Sequence, residues 1–292
     1  MKRFIKKFVA TLDDDERYKL FLLVIGAILI IALCVGIYVN FYYKYADIDP
    51  LMLGINVGNK KTEEEISKLK TEFNALFNNE VKVNSENVNI FEKLDNNVDE
   101  IVSTFSQLHN GDDSFYRYDA DIPRININSS IISDINNEII SKYRDPINVI
   151  QRKRDGYTSY TVSYCAFVNG SNLSLVIRSS LKEQGKAEKV GIKTYNYNIV
   201  EDRLVTLDEM IKLKNTTNKE VQENINKSIQ EADAKVQALA KEYGSLYTRD
   251  LNSDIYKVEN TENFFLTDDG NVYIVYAYGN IDETNEMDVV IF

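Results

Sequence analysis

Residues 160–177 read YTVSYCAFVNGSNLSLVI, and this stretch decides the fold. Tyr160, Val162, Tyr164, Ala166 and Val168 alternate with Thr161, Ser163, Cys165 and Phe167, a period of two that belongs to a β-strand and not to a helix. Asn169-Gly170-Ser171-Asn172 is a turn, and Leu173, Leu175 and Ile177 return the chain as a second strand.

The same pattern extends outward. Gly185 marks a break, after which a further strand ends at Tyr195, Tyr197 and Ile199. Upstream, Ile101 to Leu108 and Phe115 to Ile122 read as strands joined by an Asn110-Gly111-Asp112-Asp113 turn, with Pro123 expected to stop the second. Between the two strand pairs, Asn128-Ser129-Ser130 caps a helix with the apolar stripe Ile131, Ile132, Ile135, Ile139, Ile140 and Tyr143.

Downstream, Thr206 caps a short helix over 207–213. Thr217-x-x-Glu220 is a capping box opening a long helix. The stripe of that helix is Val221, Ile225, Ile229, Ala232, Val236, Leu239 and Tyr243, and Gly244 is placed to end it. Three closing strands follow: Phe264 to Thr267, Val272 to Tyr278 after an Asp268-Asp269-Gly270-Asn271 turn, and Met287 to Phe292. Hairpin-linked strands with interspersed helices imply an α+β fold, antiparallel sheets covered by helices, with no internal repeat.

The N-terminal part has another character. Leu20 to Val39 are 20 consecutive residues without a charged side chain, enough at about 1.5 Å per residue to cross the roughly 30 Å of a bilayer's hydrocarbon. Tyr38, Phe41, Tyr42, Tyr43 and Tyr45 then form an aromatic belt, and no small-residue cleavage site follows, so the segment reads as an uncleaved anchor. Six basic side chains precede it and only Lys44 closely follows, which puts the N-terminus in the cytoplasm and the bulk of the chain outside. Ala46 to Asn59 reads as a linker, and Thr62-x-x-Glu65 caps a juxtamembrane helix with Ile66, Leu69, Phe73 and Leu76 on one face. The division that follows is a cytoplasmic tail (1–19), a transmembrane helix (20–41), a linker and juxtamembrane helix (42–99), a first α+β extracytoplasmic domain (100–185) and a second (186–292).

Charge and cysteine usage narrow the function. The 292 residues carry a formal net charge of −11 with 44% apolar residues, a balance that suits a sizeable core and excludes nucleic acid as a partner. Residues 1–19 hold six basic and four acidic side chains, net +2, so the remainder carries −13 and favours basic proteins or divalent cations. Of the two cysteines, Cys34 lies in the apolar run and Cys165 in a strand, so no disulfide framework supports the outer part.

The residues offer little catalytic equipment. His109 is the sole histidine and reads as a solvated residue beside a turn. Asp119 and Asp121 flank Ala120 and share a strand face; as a carboxylate pair they suit acid–base chemistry, and as the end of an exposed edge before Pro123 they need no function. Asp268-Asp269-Gly270-Asn271 lacks the spaced acceptors and closing glutamate of a calcium loop and reads as a tight turn. Asp13-Asp14-Asp15-Glu16 reads as a solvated acidic run. No glycine-rich phosphate loop, zinc ligand set or nucleophile motif is present, so no catalytic, cofactor or metal residue is assigned. The 19 tyrosines, with many on strands (Tyr157, Tyr160, Tyr164, Tyr195, Tyr197, Tyr273, Tyr276, Tyr278), are explained by β-packing or by a recognition surface on an outer face.

Several segments also resemble a known family. Thr194-Tyr195-Asn196-Tyr197-Asn198 with Arg203-Leu204-Val205-Thr206-Leu207-Asp208-Glu209-Met210 is similar to its "Y-N-F-D … L-T-L-x-D-L-F" stretch. Residues 263–276, Asn263 to Tyr276, are similar to its "F-Y-L-T-x-D-G-L-V-I-x-Y" strand pair, and Tyr118 to Pro123 with Ile135-Asn136-Asn137-Glu138-Ile139 to the companion domain's "x-x-Y-P-x-I … I-N-x-x-I". Together, over roughly 100–292, they resemble the paired extracytoplasmic domains of unknown function in the lysozyme-sensing anti-sigma-V factor. The same pair occurs in the N-terminal part of membrane-anchored peptidoglycan deacetylases. The ending differs, with Tyr276-Ala277-Tyr278-Gly279 in place of the family's tyrosine-proline-tyrosine step. Sigma-binding and deacetylase domains are expected to be absent. The resemblance implies a non-enzymatic, membrane-anchored binding or sensing protein of the cell envelope that recognises a lysozyme-like protein or a wall component. The alternatives are a regulatory or assembly subunit of an envelope complex and a wall-glycan hydrolase or deacetylase.

Overall fold

A computed structural model describes residues 62–77, 91–110, 114–243, 249–277 and 287–292. The tail, the apolar run, the linker, Asp13 to Glu16, Cys34, the 111–113 turn, Gly244 and Tyr278-Gly279 lie outside the described residues, and among the described ones no helix is long and apolar enough to cross a membrane.

The described part of the chain is α+β, built on two sheets. The first has six strands in sequential order, β1 (Val102–Asn110), β2 (Tyr116–Ile125), β3 (Thr158–Asn169), β4 (Asn172–Glu183), β5 (Lys189–Asn198) and β6 (Arg203–Leu204). The predicted hairpin at its centre is present, with Asn169 paired to Asn172 across Gly170-Ser171 and Gly170 at φ 59, a conformation glycine adopts without cost. β5 follows a turn containing Gly185 (φ 75) and pairs along β4, so the sheet runs on through residues 185–186.

Two expectations are corrected here. The sheet is mixed and not wholly antiparallel, because β2 and β3 pair in parallel from Tyr116–Thr158 to Ala120–Val162. The cause is the intervening helical layer: α2 (Ser130–Ile139), a π turn (Ile140–Arg144) and α3 (Asp145–Ile150) carry the chain back to the end where β2 began. The helix therefore runs beyond Tyr143, with Ile147 and Ile150 also buried. Pro123 does not stop β2, which continues to Ile125. Proline lacks an N–H, but the partner strand bulges between Thr104 and Ser106 just opposite Pro123.

This helical layer covers one face of the sheet. Tyr118, Ala120, Ile122, Tyr160, Val162, Tyr164, Ala166, Val168, Leu173, Leu175 and Ile177 meet Ile132, Ile135, Ile139 and Tyr143 in one core. Ser129 caps α2 by accepting from the Ile131 N–H at 3.1 Å. Buried Asn136 ties the helix to β2, accepting from Ile125 N and donating to Ile125 O, both at 2.9 Å.

The second sheet has the order β7 (Phe264–Leu266), β8 (Val272–Ala277) and β9 (Met287–Ile291). One of its faces packs on α4 (Leu207–Leu213) and α5 (Asn218–Tyr243) through Val221, Ile225, Ile229, Phe264, Leu266, Ile274 and Val290. Both helices open as predicted: the Thr206 N–H donates to Glu209 at 2.7 Å, and the Thr217 N–H to Glu220 at 2.9 Å. Leu239, expected in the buried stripe, is exposed.

The other face of this sheet lies against the second face of the large sheet. Phe265 stacks on Tyr273 (4.8 Å between centroids) and on Phe167 (5.8 Å), beside Cys165, Val176 and Ile192. Phe73 and Phe77, which follow α1 (Glu63–Glu72), close this core, and the expected Thr62–Glu65 capping box opens α1. The layers are thus helix, sheet, sheet, helix.

A polar seam joins the sheets. One edge of β7 pairs with β8, and the backbone groups of its other edge meet side chains of the large sheet. Phe264 N donates to Thr194 Oγ1 (3.1 Å), Asn196 Nδ2 to Phe264 O (2.7 Å) and Leu266 N to Ser174 Oγ (3.0 Å). Ser174 Oγ donates to Asn196 Oδ1 at 2.7 Å, and all three side chains are buried. A buried ion pair fastens β9: the Arg249 guanidinium grips both Asp288 oxygens, at 2.7 and 2.9 Å.

Replacing Asn196 with Ala strands the Phe264 carbonyl and the Ser174 hydroxyl, and urea denaturation is expected to show a loss of about 2–4 kcal/mol. Arg249→Met leaves Asp288 charged and buried, with an expected loss of about 3–5 kcal/mol by the same measurement.

Candidate functional site

The helix-side faces of β1 to β5 are consumed by packing, so exposed chemistry has to be sought on the second face. Along β3 that face reads Thr161, Ser163, Cys165, Phe167: polar at one end and buried beneath β7 to β9 at the other. The polar end lies next to β2, where Asp119 and Asp121 alternate with core residues Tyr118, Ala120 and Ile122 and so point the opposite way.

Across the β1–β2 ladder, His109 is paired with Asp119. Its Nδ1 lies 2.6 Å from Asp119 Oδ1, and its Nε2 lies 3.8 Å from Asp121 Oδ1. The imidazole is therefore not merely solvated; it stands between two carboxylates. Asp119 and His109 are about half exposed, at 55% and 53% of their side chains, whereas Asp121 retains 12%. The pair is not the end of an exposed edge, since β2 is an interior strand flanked by β1 and β3. The exposed Thr161 lies beside Asp119 in the parallel ladder.

This arrangement suits neither catalytic scheme that its residue types suggest. A glycosidase needs its carboxylates about 5–9.5 Å apart with the scissile bond between them, and here the imidazole occupies that space. A nucleophilic triad needs a hydroxyl or thiol at the second imidazole nitrogen, and Nε2 faces Asp121 instead. What the cluster offers is a half-exposed carboxylate on a polar sheet face, able to accept hydrogen bonds and to attract cations.

The remaining sequence candidates resolve structurally. In the Asp268 to Asn271 turn, Gly270 takes φ 81 and donates to Thr267 O at 3.0 Å. Asp269 accepts from Thr267 Oγ1 and, at 2.6 Å, from Asn271 Nδ2, so its carboxylate serves the turn. Among the described residues no group of three His, Cys, Asp or Glu is arranged to hold a metal ion. Burial pushes the Cys165 thiol well above its ordinary range, away from the reactive thiolate.

Of the strand tyrosines, Tyr160, Tyr164, Tyr195, Tyr197, Tyr273 and Tyr276 are buried, and Tyr157 is exposed. Packing accounts for the first six, and no tyrosine-rich recognition face forms among them. Two clusters had no local signal in the sequence: Arg249 with Asp288, and the Lys70 ammonium with Ser228, 158 residues away. The His109–Asp119 pair had none either, since a hairpin closed by a 110–113 turn would set His109 opposite residue 114, whereas the ladder sets it opposite Asp119.

Comparison with known proteins finds no matching family model and no matching curated protein. Several solved structures resemble the chain, among them two DUF3298 family proteins. One is from Pseudomonas aeruginosa PAO1, with 13% identity and a TM-score of 0.35 over 60% of this chain and 80% of that one. The other is from Bacteroides fragilis NCTC 9343, with 13% identity and a TM-score of 0.34 over 60% and 81%.

Because Asp119 is half exposed, Asp119→Asn is expected to change stability by less than about 1 kcal/mol, as a shift in the urea midpoint would register.

Proposed function

We propose that this chain is a membrane-anchored, non-enzymatic recognition module of the cell envelope whose outer part binds a basic protein, such as a lysozyme-like one. The observation that carries the reading is the open end of the large sheet, where Asp119 and Asp121 sit on the face that the second sheet leaves uncovered. The imidazole between them argues against a hydrolytic role, since it takes the space a substrate would need. Charge adds support, because a chain of net −11 attracts basic partners over long range. Anchoring rests on the sequence: the apolar run from Leu20 to Val39, with basic residues before it, is what a single span with a cytoplasmic N-terminus requires.

The test uses the full chain in detergent micelles with immobilised lysozyme, at low and high salt. Binding is expected to weaken as salt rises, and the Asp119→Asn/Asp121→Asn double variant is expected to bind at least several-fold more weakly at low salt. Absence of any salt-sensitive binding by the wild-type chain would overturn the reading. Equal binding by the double variant would move the contact away from this face.

A further inference from the structure

A cleft opens between α1 and α5, with β9 as its floor. It consists of two adjoining hollows of about 170 and 230 Å³ that share Lys70, Ser228, Glu231 and Lys235. Positions 228, 231 and 235 follow one another along a single face of α5, and Lys70 reaches in from α1. Either hollow is several times the roughly 30 Å³ that one water occupies in the liquid, so a ligand of several heavy atoms fits.

The charges lining the cleft are unevenly satisfied. Both Asp288 oxygens are held by Arg249, and Glu63 accepts from Lys227 at 2.5 Å, with Glu231 4.0 Å from the same ammonium. Among the described residues Lys70 and Lys235 form no ion pair; Lys70 donates to the neutral Ser228 hydroxyl at 3.2 Å. Lys70, Lys227 and Lys235 thus line the cleft against Glu63, Glu231 and Asp288. Because Lys227 and Arg249 hold those carboxylates, Lys70 and Lys235 are left, among the described residues, as two cations with no carboxylate within ion-pair distance.

We propose that this cleft binds a phosphate-type oxyanion, held between the Lys70 and Lys235 ammoniums with the Ser228 hydroxyl as a further donor. Such a group has several acceptor oxygens for these donors and offsets the repulsion between like charges. Burial holds the Lys70 pKa below the usual lysine range, with Lys235 and Lys227 pushing it the same way and Glu231 and Asp288 opposing them. An anion in the hollow would relieve that cost. The proposal does not rest on the reading of the open sheet face, which lies on another part of the fold.

The experiment follows the thermal midpoint of the full chain in detergent micelles as inorganic phosphate, or dimethyl phosphate, is raised at constant ionic strength set with chloride. A ligand that binds the native state raises the midpoint in a saturable way. Phosphate is expected to do so, and Lys70→Met and Lys235→Met are each expected to weaken its apparent affinity by roughly tenfold or more. A response to dimethyl phosphate as well points to the phosphodiester of a polymer or lipid headgroup, and a response to phosphate alone to a free or terminal phosphate. If Lys70→Met fails to fold, the exposed Lys235 still decides the matter through its own variant. A midpoint indifferent to both probes, or one that responds equally in wild type and Lys235→Met, overturns the proposal.

Discussion

A strand of three residues cannot hold its place by length, and β7 depends on what its second edge finds. That edge is buried against the large sheet, where a backbone N–H or C=O left without a partner costs about 1–3 kcal/mol. Thr194, Asn196 and Ser174 supply the missing partners from β4 and β5, so side chains take the place of a neighbouring strand. Apolar packing alone is non-directional and would tolerate sliding of one sheet over the other. Three hydrogen bonds to successive backbone groups allow one register. With that register set, Phe265 falls between Phe167 and Tyr273, while Phe264 and Leu266 turn to the helices. The order of the four layers follows from this seam.

The same reasoning separates the two buried polar systems. The seam consists of neutral groups that satisfy one another, so it stabilises at modest desolvation cost. The Arg249–Asp288 pair is charged, and burial pushes the Asp288 carboxyl upward even with the guanidinium beside it. Such a pair contributes little net stability relative to an apolar replacement, yet removing one member is costly. Its value is positional: it fixes β9 to the chain that follows α5, at the floor of the lysine-lined cleft.

Much of this was legible in the sequence. The alternation from Tyr160 to Ile177 located the central hairpin, and the capping boxes at Thr62, Thr206 and Thr217 located three helix starts, because these signals act within a few residues. The parallel pairing of β2 with β3 was not legible, since it depends on where the helical layer over residues 130–150 delivers the chain rather than on any local pattern. Pro123 misled for a related reason: a proline forbids a ladder hydrogen bond, but the bulge that removes the need for it lies on the partner strand. Ser174, Thr194 and Asn196 carry no local signal of burial, and only the second sheet makes them buried and necessary.

The candidate site obeys a rule that the seam explains. On the second face of the large sheet, residues beneath β7 to β9 had to be apolar or hydrogen-bonded to the seam, and Cys165, Phe167, Val176, Ser174 and Asn196 meet that demand. Where the cover stops, the demand stops, and the β3 face turns to Ser163 and Thr161 beside Asp121 and Asp119. Position 119 is therefore free of packing duty, and a half-exposed carboxylate there is under no structural obligation. Asp121, closer to the covered zone, sits on the same face with little exposure. A side chain that stability does not ask for, in the part of the sheet left open by the fold's own constraint, is where selection for recognition has room to act.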